Sequence, residues 1–500
     1  MTNRCVSLLL TVSSALLGAD RISIGLTASK TVIGAITIPA PSDRRPRVLL
    51  IGGLAGNDAS VKIVQFEIAR FESGAAKRRK FHLTGVALAN PDKVHLVFPP
   101  SGQAYRDNPE SHYLWRWIAT EAPDLVLVVA PDEFHLARAL SQEIVAGVGR
   151  IPARIVEAKP GILKSVPPAV PPSEARLEIE RRVARAPRVV AEELARVYGH
   201  DFETPVYIPG MALIGRLRLG ARADVEHLAA PYVDGSKDSL AKATSSHLAG
   251  HLVFAELAER TGDRRYLDRV LAAANLAFTE SGEMKPAMPL HNEMSDAVFM
   301  GCPILAKAGK LTGERKYFDM AQRHLAFMQK LCLRPDGIYR HSPLNEAPWG
   351  RGNAFPALGL ALTLSDFPKD HPGFGDMLRS FQNHMAALAQ YQQPNGMWRQ
   401  VLDQPGAYSE FSATAMIAVA MLRGIGAGWL DAASYQPRVD RAWQAILART
   451  SSDGRLTDVC ESTGKQKSLD DYLHRTAILD RDPRGGAMAL LLATEVAGLH

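Results

Sequence analysis

The sequence predicts a two-domain protein: an α/β unit with a mostly parallel sheet, then an all-α region closed into an (α/α)6 barrel. Three observations carry this expectation. Five hundred residues exceed what one ordinary core fills. Short apolar runs alternate with amphipathic stretches early in the chain, whereas the later part is helical almost throughout. The later part also repeats itself. Thr261-Gly262-Asp263-Arg264-Arg265-Tyr266 returns about 51 residues on as Thr312-Gly313-Glu314-Arg315-Lys316-Tyr317. A second turn recurs as Asp336-Gly337, Asn395-Gly396 and Asp453-Gly454, spaced about 59 and 58 residues apart. The repeated unit reads as a helical hairpin whose glycines supply the positive φ of each turn.

The elements follow in order. Arg4 precedes an apolar run from Cys5 to Leu17 that ends in Gly18-Ala19, so residues 1–19 can act as a secretory leader. Such a leader implies a secreted or periplasmic protein, and its absence a cytoplasmic one. Leu17, standing where a small residue is wanted ahead of the cleavage point at Ala19, makes a poor cleavage signature. No other run reaches the ~20 apolar residues of a membrane span, so no stable membrane insertion is expected. Residues 20–165 hold buried strands at Val48–Ile51 and Asp124–Val129, with a helix from Pro109 to Thr120. Val166–Pro172 contains four prolines and reads as a stiff linker, and Ser173 can cap the helix after it. The expected linker and helix occupy 166–204. The barrel occupies 205–500, with helices near 207–218, 222–231, 239–260, 264–279, 293–310, 314–331, 351–365, 373–391, 409–424, 437–449 and 483–498. Another helix falls near 186–199 and a short one near 470–476. An open solenoid would need polar caps at both ends.

Composition excludes several classes. Hydrophobic residues at 46% and charged residues at 22% are ordinary for a globular chain, and a net charge of +6 is a mild bias. The basic clusters Lys77–Lys80 and Arg181-Arg182 lack interleaved aromatics, so no nucleic-acid partner is expected. The four cysteines form no C-x-x-C pair, which argues against a disulfide framework or zinc knuckle. Nothing in the pattern specifies an oligomeric partner.

Four segments carry more chemistry than packing needs. In His291-Asn292-Glu293-Met294-Ser295-Asp296, Asp296 precedes apolar residues at helical spacing. A partly desolvated carboxyl there suits proton delivery, although an Asp at a helix start can simply balance the dipole. In Trp349-Gly350-Arg351-Gly352-Asn353 the glycines allow close backbone approach, Arg351 can grip a carboxylate and Trp349 offers a face for a sugar ring. His341 follows the Asp336-Gly337 turn; a lone loop histidine is more often structural than catalytic. Trp398 and Glu410 belong to the fourth segment, where Glu410 and Ser412 open a helix of small residues and capping alone explains both.

Together these segments resemble glycoside hydrolase families 88 and 105, the unsaturated uronyl and unsaturated rhamnogalacturonyl hydrolases, over roughly residues 205–500. The matching motifs are Asp296-Ala297-Val298-Phe299-Met300, Trp349 to Asn353, and Glu410 to Met416. The resemblance implies an (α/α)6 barrel that removes a 4,5-unsaturated uronic acid from lyase-generated oligosaccharides. It implies Asp296 as general acid and base, with His291, His341, Trp349, Arg351, Asn353, Trp398 and Glu410 lining the sugar site, and no metal or cofactor. Three departures stand out. Met294 replaces a tryptophan, Ala354-Phe355 replaces Gly-Trp, and no Asp lies between Asp238 and Asp263, where the family carries a second carboxylate near Thr244–Ser246. Two rival readings follow: a sugar epimerase using His291 and His341, or a non-catalytic carbohydrate-binding protein.

The first domain resembles zinc carboxypeptidases and succinylglutamate desuccinylases, which implies a mixed sheet. The resemblance rests on Leu49–Asp58, Ala89-Asn90-Pro91-Asp92 and Glu110 to Val129. The family's first zinc histidine is Ala55 here, and the later one falls near Ala130. Asp58 alone cannot hold the metal, so an inactive, carboxypeptidase-like domain is expected.

Overall fold

The computed structural model describes residues 18–462 and 464–499. The apolar run at Cys5–Leu17, and with it all of the expected leader but Gly18 and Ala19, lies outside them. Among the described residues no helix is long and apolar enough to cross a membrane. The described residues divide into two compact units, one of those up to 101 with 108–178, the other of 102–107 with those from 179 on.

The first unit is built on a six-stranded mixed sheet. Its strands are β1 (Asp20–Leu26), β2 (Val32–Ile38), β3 (Arg47–Ile51), β4 (His82–Val86), β5 (Leu125–Val129) and β6 (Ala153–Val156), in the order β1-β2-β4-β3-β5-β6. The β4-β3-β5-β6 run is parallel, while β1 and β2 form an antiparallel edge. Strands β3 and β5 read as unbroken apolar runs because both of their faces are covered. The helices α1 (Ala59–Ser73), α2 (Pro109–Glu121) and α3 (Leu136–Gln142) belong to this unit. One core gathers Val48, Leu50, Leu83 and Leu127 from the sheet with Val64 and Ile68 from α1.

The proline-rich stretch is less of a linker than its composition suggests. Asp124, just before β5, accepts from the backbone N–H of Arg47 and Ser173 and from the Arg176 guanidinium at 2.6 Å. Ser173 caps as expected, its Oγ accepting from Arg176 N at 3.0 Å. The boundary between units therefore falls inside α4 (Glu174–Val183), after the prolines.

The second unit is a closed double ring. Its helices are α5 (Pro187–Ala195), α6 (Tyr207–Arg218), α7 (Arg222–Val233), α8 (Ser245–Gly250), α9 (Leu252–Thr261), α10 (Arg264–Asn275), α11 (Ala297–Thr312), α12 (Arg315–Cys332), α13 (Gly350–Asp366), α14 (Phe374–Gln390), α15 (Phe411–Gly426), α16 (Ala432–Ala448), α17 (Leu469–Leu473) and α18 (Pro483–Val496). Short strands intervene: β7 (Trp398–Arg399), β8 (Ser409–Glu410), β9 (Leu456–Cys460) and β10 (Ala477–Asp480). The inner ring runs α6, α8–α9, α11, α13, α15, α18, and α18 packs back on α6. The outer partners α7, α10, α12, α14 and α16 each lie against the ring, and α5 completes the set by packing on α18. The twelfth helix thus comes from residues assigned by sequence to the linker, and the barrel begins before residue 205. The predicted helix at 239–260 starts only at Ser245 and breaks at His251, whose ring bonds to His247 O and Ser239 Oγ.

Both sequence echoes are echoes of bonding. Thr261 and Thr312 each donate back to the carbonyl four residues earlier and accept from the N–H two residues later, with Gly262 and Gly313 at φ 71° and 76°. In the second turn Asp336, Asn395 and Asp453 each accept from the N–H two residues on, and Gly337, Gly396 and Gly454 have φ near 84°.

The C-terminal ends of the inner helices surround a cavity of about 960 Å³ rimmed by ion pairs. Arg218 and Arg423 share Glu495 at 2.9 and 2.5 Å, and Lys307 and Lys310 share Glu259 and Asp366. Burial works against a charged Glu495, but the two guanidiniums outweigh it and hold the carboxyl below its ordinary 4.5; Glu259 is held down likewise by its lysines. A carboxyl depressed in the folded state adds stability that is complete above 4.5 and is lost as pH falls through the folded value. Denaturant titrations from pH 7 to 3 should show the chain weakening below 4.5, with a shallower acid limb in Glu495→Gln.

Candidate active site

The N-termini of α6, α11, α13, α15 and α18 converge at the opposite mouth of the barrel, and their end residues set the site. A buried helix start must satisfy its free N–H groups, and two of these helices do so with a carboxylate. Glu410 caps α15, accepting from Ser412 N and Ala413 N, and also from Cys460 N of β9 at 2.9 Å. Asp482 caps α18 by accepting from Arg484 N and Gly485 N.

Asp296, at the head of α11, differs. Its side chain makes no capping bond. Its Oδ1 instead lies 3.3 Å from Nε2 of His341, close enough for an ion pair, yet neither atom completes a hydrogen bond. Asp296 is 9% exposed and His341 fully buried. Two buried polar atoms left facing each other are costly, about 1–3 kcal/mol for each unmade bond. A proton or a ligand group between them would relieve that cost.

The surroundings decide which histidine nitrogen faces Asp296. The N–H of Gln466 donates to Tyr472 Oη at 3.1 Å, and Tyr472 Oη stands 2.7 Å from His341 Nδ1. Burial pushes the Tyr472 phenol up to about 12, with Asp296 adding to the rise, so it keeps its proton. Nδ1 of His341 is thus engaged with the Tyr472 hydroxyl, and Nε2 is the nitrogen that faces Asp296. Ser295 fixes the same corner, its N–H donating to His341 O and its Oγ to Gly352 O. Behind it, His324, lowered by burial to about 4, is neutral and bonds Ala297 O at 2.8 Å.

Arg351 supports the site rather than projecting into it. Its guanidinium donates to Ser412 Oγ, Cys460 O and Glu461 O, lies 3.7 Å from Glu410, and sits 4.6 Å from the Trp349 ring centre. Burial opposes its charge, but Cys460, Glu410 and Tyr207 more than compensate and keep it protonated. Trp349, 1% exposed, is held between Arg351 and the His341 ring, 4.6 Å away. It has no face to offer a sugar.

Of the eight residues singled out in the sequence, Asp296, His341, Trp349 and Arg351 come together. His291 lies at the rim, its ring on Phe327 and its Nδ1 accepting from Glu293 N. Asn353, Trp398 and Glu410 require correction as sugar contacts. Asn353 is buried and bonded to Tyr339 and Trp349 backbone, Trp398 Nε1 donates to Leu388 O, and Glu410 is the cap described above. The glycines of the motif likewise admit protein: a Cβ at Gly350 would stand 2.3 Å from Arg399 O.

Sequence reading missed Tyr472, Tyr207 and Lys465. Tyr207 is pushed up to about 12 by burial, with Arg351 pulling down and Asp296 pushing up, so it lies in the field of both. Lys465 Nζ reaches Asn292 O and the Glu293 carboxylate beside Asp296. No motif marks these residues, because their roles arise from chain brought in from elsewhere. Where a second carboxylate was sought, α8 opens with Thr244, Ser245 and a capping His247, and α8 packs on α11.

The profile of Glycosyl Hydrolase Family 88 matches residues 181–499. The chain belongs to this family. An unsaturated rhamnogalacturonyl hydrolase of Bacillus subtilis (strain 168), YesR, is 28% identical over 186 residues, 36% of this chain and 52% of that protein. An unsaturated 3S-rhamnoglycuronyl hydrolase of Formosa agariphila is 30% identical over 181 residues, 32% of this chain and 48% of its own. The chain thus spans about half the length of these curated relatives. A Klebsiella pneumoniae structure described as a possible member of family GH105 superposes with a TM-score of 0.54 at 24% identity, covering 65% of this chain and 94% of that one. A Bacteroides vulgatus family 88 structure gives 0.53 at 18%, covering 63% and 100%. At these identities the likeness shows the shared fold.

In the first unit, Asp58 is the N-cap of α1, its Oδ1 accepting from Ser60 N and Oγ. Among the described residues no three His, Cys, Asp or Glu side chains gather as metal ligands would.

If Glu410 is a cap, its loss acts on folding without any sugar present. Glu410→Ala orphans three N–H groups and a neighbour of Arg351, and should lower the unfolding free energy by about 2–4 kcal/mol in denaturant titrations. Glu410→Gln should recover part of it.

Proposed function

We propose that the chain hydrolyses oligosaccharides ending in a 4,5-unsaturated uronic acid, with Asp296 as the single proton-transfer group. The observation that carries this reading is the uncapped carboxyl of Asp296 at the head of an inner helix, 3.3 Å from Nε2 of the buried His341. The named activities of the similar hydrolases support it. The N-terminal ends of α6, α11 and α13 at this mouth, which no carboxylate side chain caps, favour an anionic substrate.

The substrate's ring contains a vinyl ether. Asp296, as the acid, delivers a proton to C4, and positive charge develops at C5 and the ring oxygen. The carboxylate then takes a proton from the water that adds at C5, and the hemiketal formed opens to release the sugar. One carboxyl serves both steps, so a second is not required by the proton balance. His341 steadies the carboxylate between the steps by donating from Nε2. Which oligosaccharide is taken, pectic or otherwise, belongs to the same proposal.

Asp296→Asn keeps the shape but cannot exchange a proton near neutrality. It should lower kcat by about 10²–10⁴-fold with folding unchanged. Loss of absorbance from the conjugated double bond of a lyase-generated disaccharide measures this. Retention of more than about a tenth of the rate would remove Asp296 from the chemistry.

For the first unit we propose descent from a carboxypeptidase-like hydrolase that no longer binds catalytic zinc. The reading rests on Ala55 and Ala130 at the expected ligand positions and on the use of Asp58 as a helix cap. Metal analysis of purified chain should find well under one zinc per molecule. A full equivalent removable by chelator would overturn it.

A further inference from the structure

The helical unit contains one segment from early in the chain, Gly102–Asp107, flanked in sequence by the α/β unit. Its contacts within the helical unit fall on the strands that hold Arg351. Tyr105 Oη donates to Asp458 Oδ1 at 3.0 Å, and its ring stacks on Tyr408 at 4.5 Å and 12°. Thr476 Oγ1 donates to Gln103 Oε1 at 3.2 Å. Asp458 is in β9, Thr476 just precedes β10, and Tyr408 just precedes β8. Two and three residues beyond Asp458, the carbonyls of Cys460 and Glu461 accept from Arg351, and Cys460 N–H donates to Glu410.

The backbone at this contact is strained on both sides. Tyr105 and Asp458 both have φ 66°, a left-handed conformation that costs a non-glycine residue energy, most of all one as bulky as tyrosine. Both are nearly fully buried, at 3% and 4% exposure. Two residues held in this conformation and bonded to each other mark a place where the surrounding structure imposes geometry.

We propose that Tyr105 is a positioning residue for Arg351. By holding Asp458 from outside the sheet, it sets where β9 presents the Cys460 and Glu461 carbonyls, and hence where the guanidinium lies behind Trp349 and His341. The effect on turnover rests on the function proposed above; the effect on β9 does not.

The test uses the full chain. Tyr105→Phe keeps the buried ring and removes the bond. Asp458→Asn keeps an acceptor, and asparagine tolerates the left-handed backbone. In Tyr105→Phe, hydrogen exchange at the Cys460 and Glu461 amides should quicken about tenfold or more while amides of α9 keep their rates; Asp458→Asn should match wild type. On a lyase-generated unsaturated disaccharide, kcat/KM should fall about tenfold in Tyr105→Phe. In an Arg351→Lys background the same change should add nothing, since the two would act on one element. Unchanged exchange at Cys460 and Glu461 overturns the proposal whether or not the chain is active. Losses that multiply independently of Arg351 overturn the link to the guanidinium. A wild-type chain that leaves the disaccharide untouched refutes the proposed function, and exchange still decides the role of Tyr105.

Discussion

The buried assembly of Arg351, Glu410 and β9 is the interaction on which the site depends. An inner ring of helices brings several N-termini to one mouth, each with N–H groups that water cannot reach. Glu410 meets that need for α15 and extends it to Cys460 of β9, while Arg351, from α13, answers Glu410 and binds the carbonyls of Cys460 and Glu461. Two helices and a strand remote in sequence are thereby tied through one charged pair. A buried pair of this kind is stabilising only because nearly every remaining donor and acceptor also has a partner.

Against that background the unmet carboxyl of Asp296 becomes meaningful. Glu410 and Asp482 at the same level cap their helices; Asp296, an acid at the same kind of position, does not, and the chain around it is held through Ser295 and His324. Relieved of a capping role, it faces a histidine whose other nitrogen is engaged by Tyr472, itself held by Gln466. The preceding loop reinforces this placement: Leu290, Asn292 and Glu293 all have positive φ. Strain of that sort is maintained only where the fold over-determines the backbone.

The far mouth is organised differently. There the helices end, and the rim is closed by lysines and arginines shared among Glu259, Asp366 and Glu495. Cations at helix C-termini complement the dipole, and their mutual compensation leaves little demand for a ligand. The two ends of one ring thus separate stability from chemistry.

How much of this was legible in the sequence depended on the range of the interaction. The turns at Thr261, Thr312, Asp336, Asn395 and Asp453 rest on bonds spanning two to four residues, so the residues written there dictate them. The helices followed from apolar spacing, and the place of Asp296 at a helix start from the apolar residues after it. The residues Glu410, Asn353, Trp349 and Trp398 were located but their roles misjudged, because a carboxylate that caps and one that meets a ligand look alike in sequence; burial and partners separate them. The closing of the ring by α5, the bond between Tyr472 and His341, and the grip of Tyr105 on β9 span about 130 to 350 residues of chain. Local propensity carries no information over such distances. Sequence alone determined the elements and the chemistry available to them; tertiary structure decided which groups were consumed in holding the barrel and which carboxyl was left without a bond.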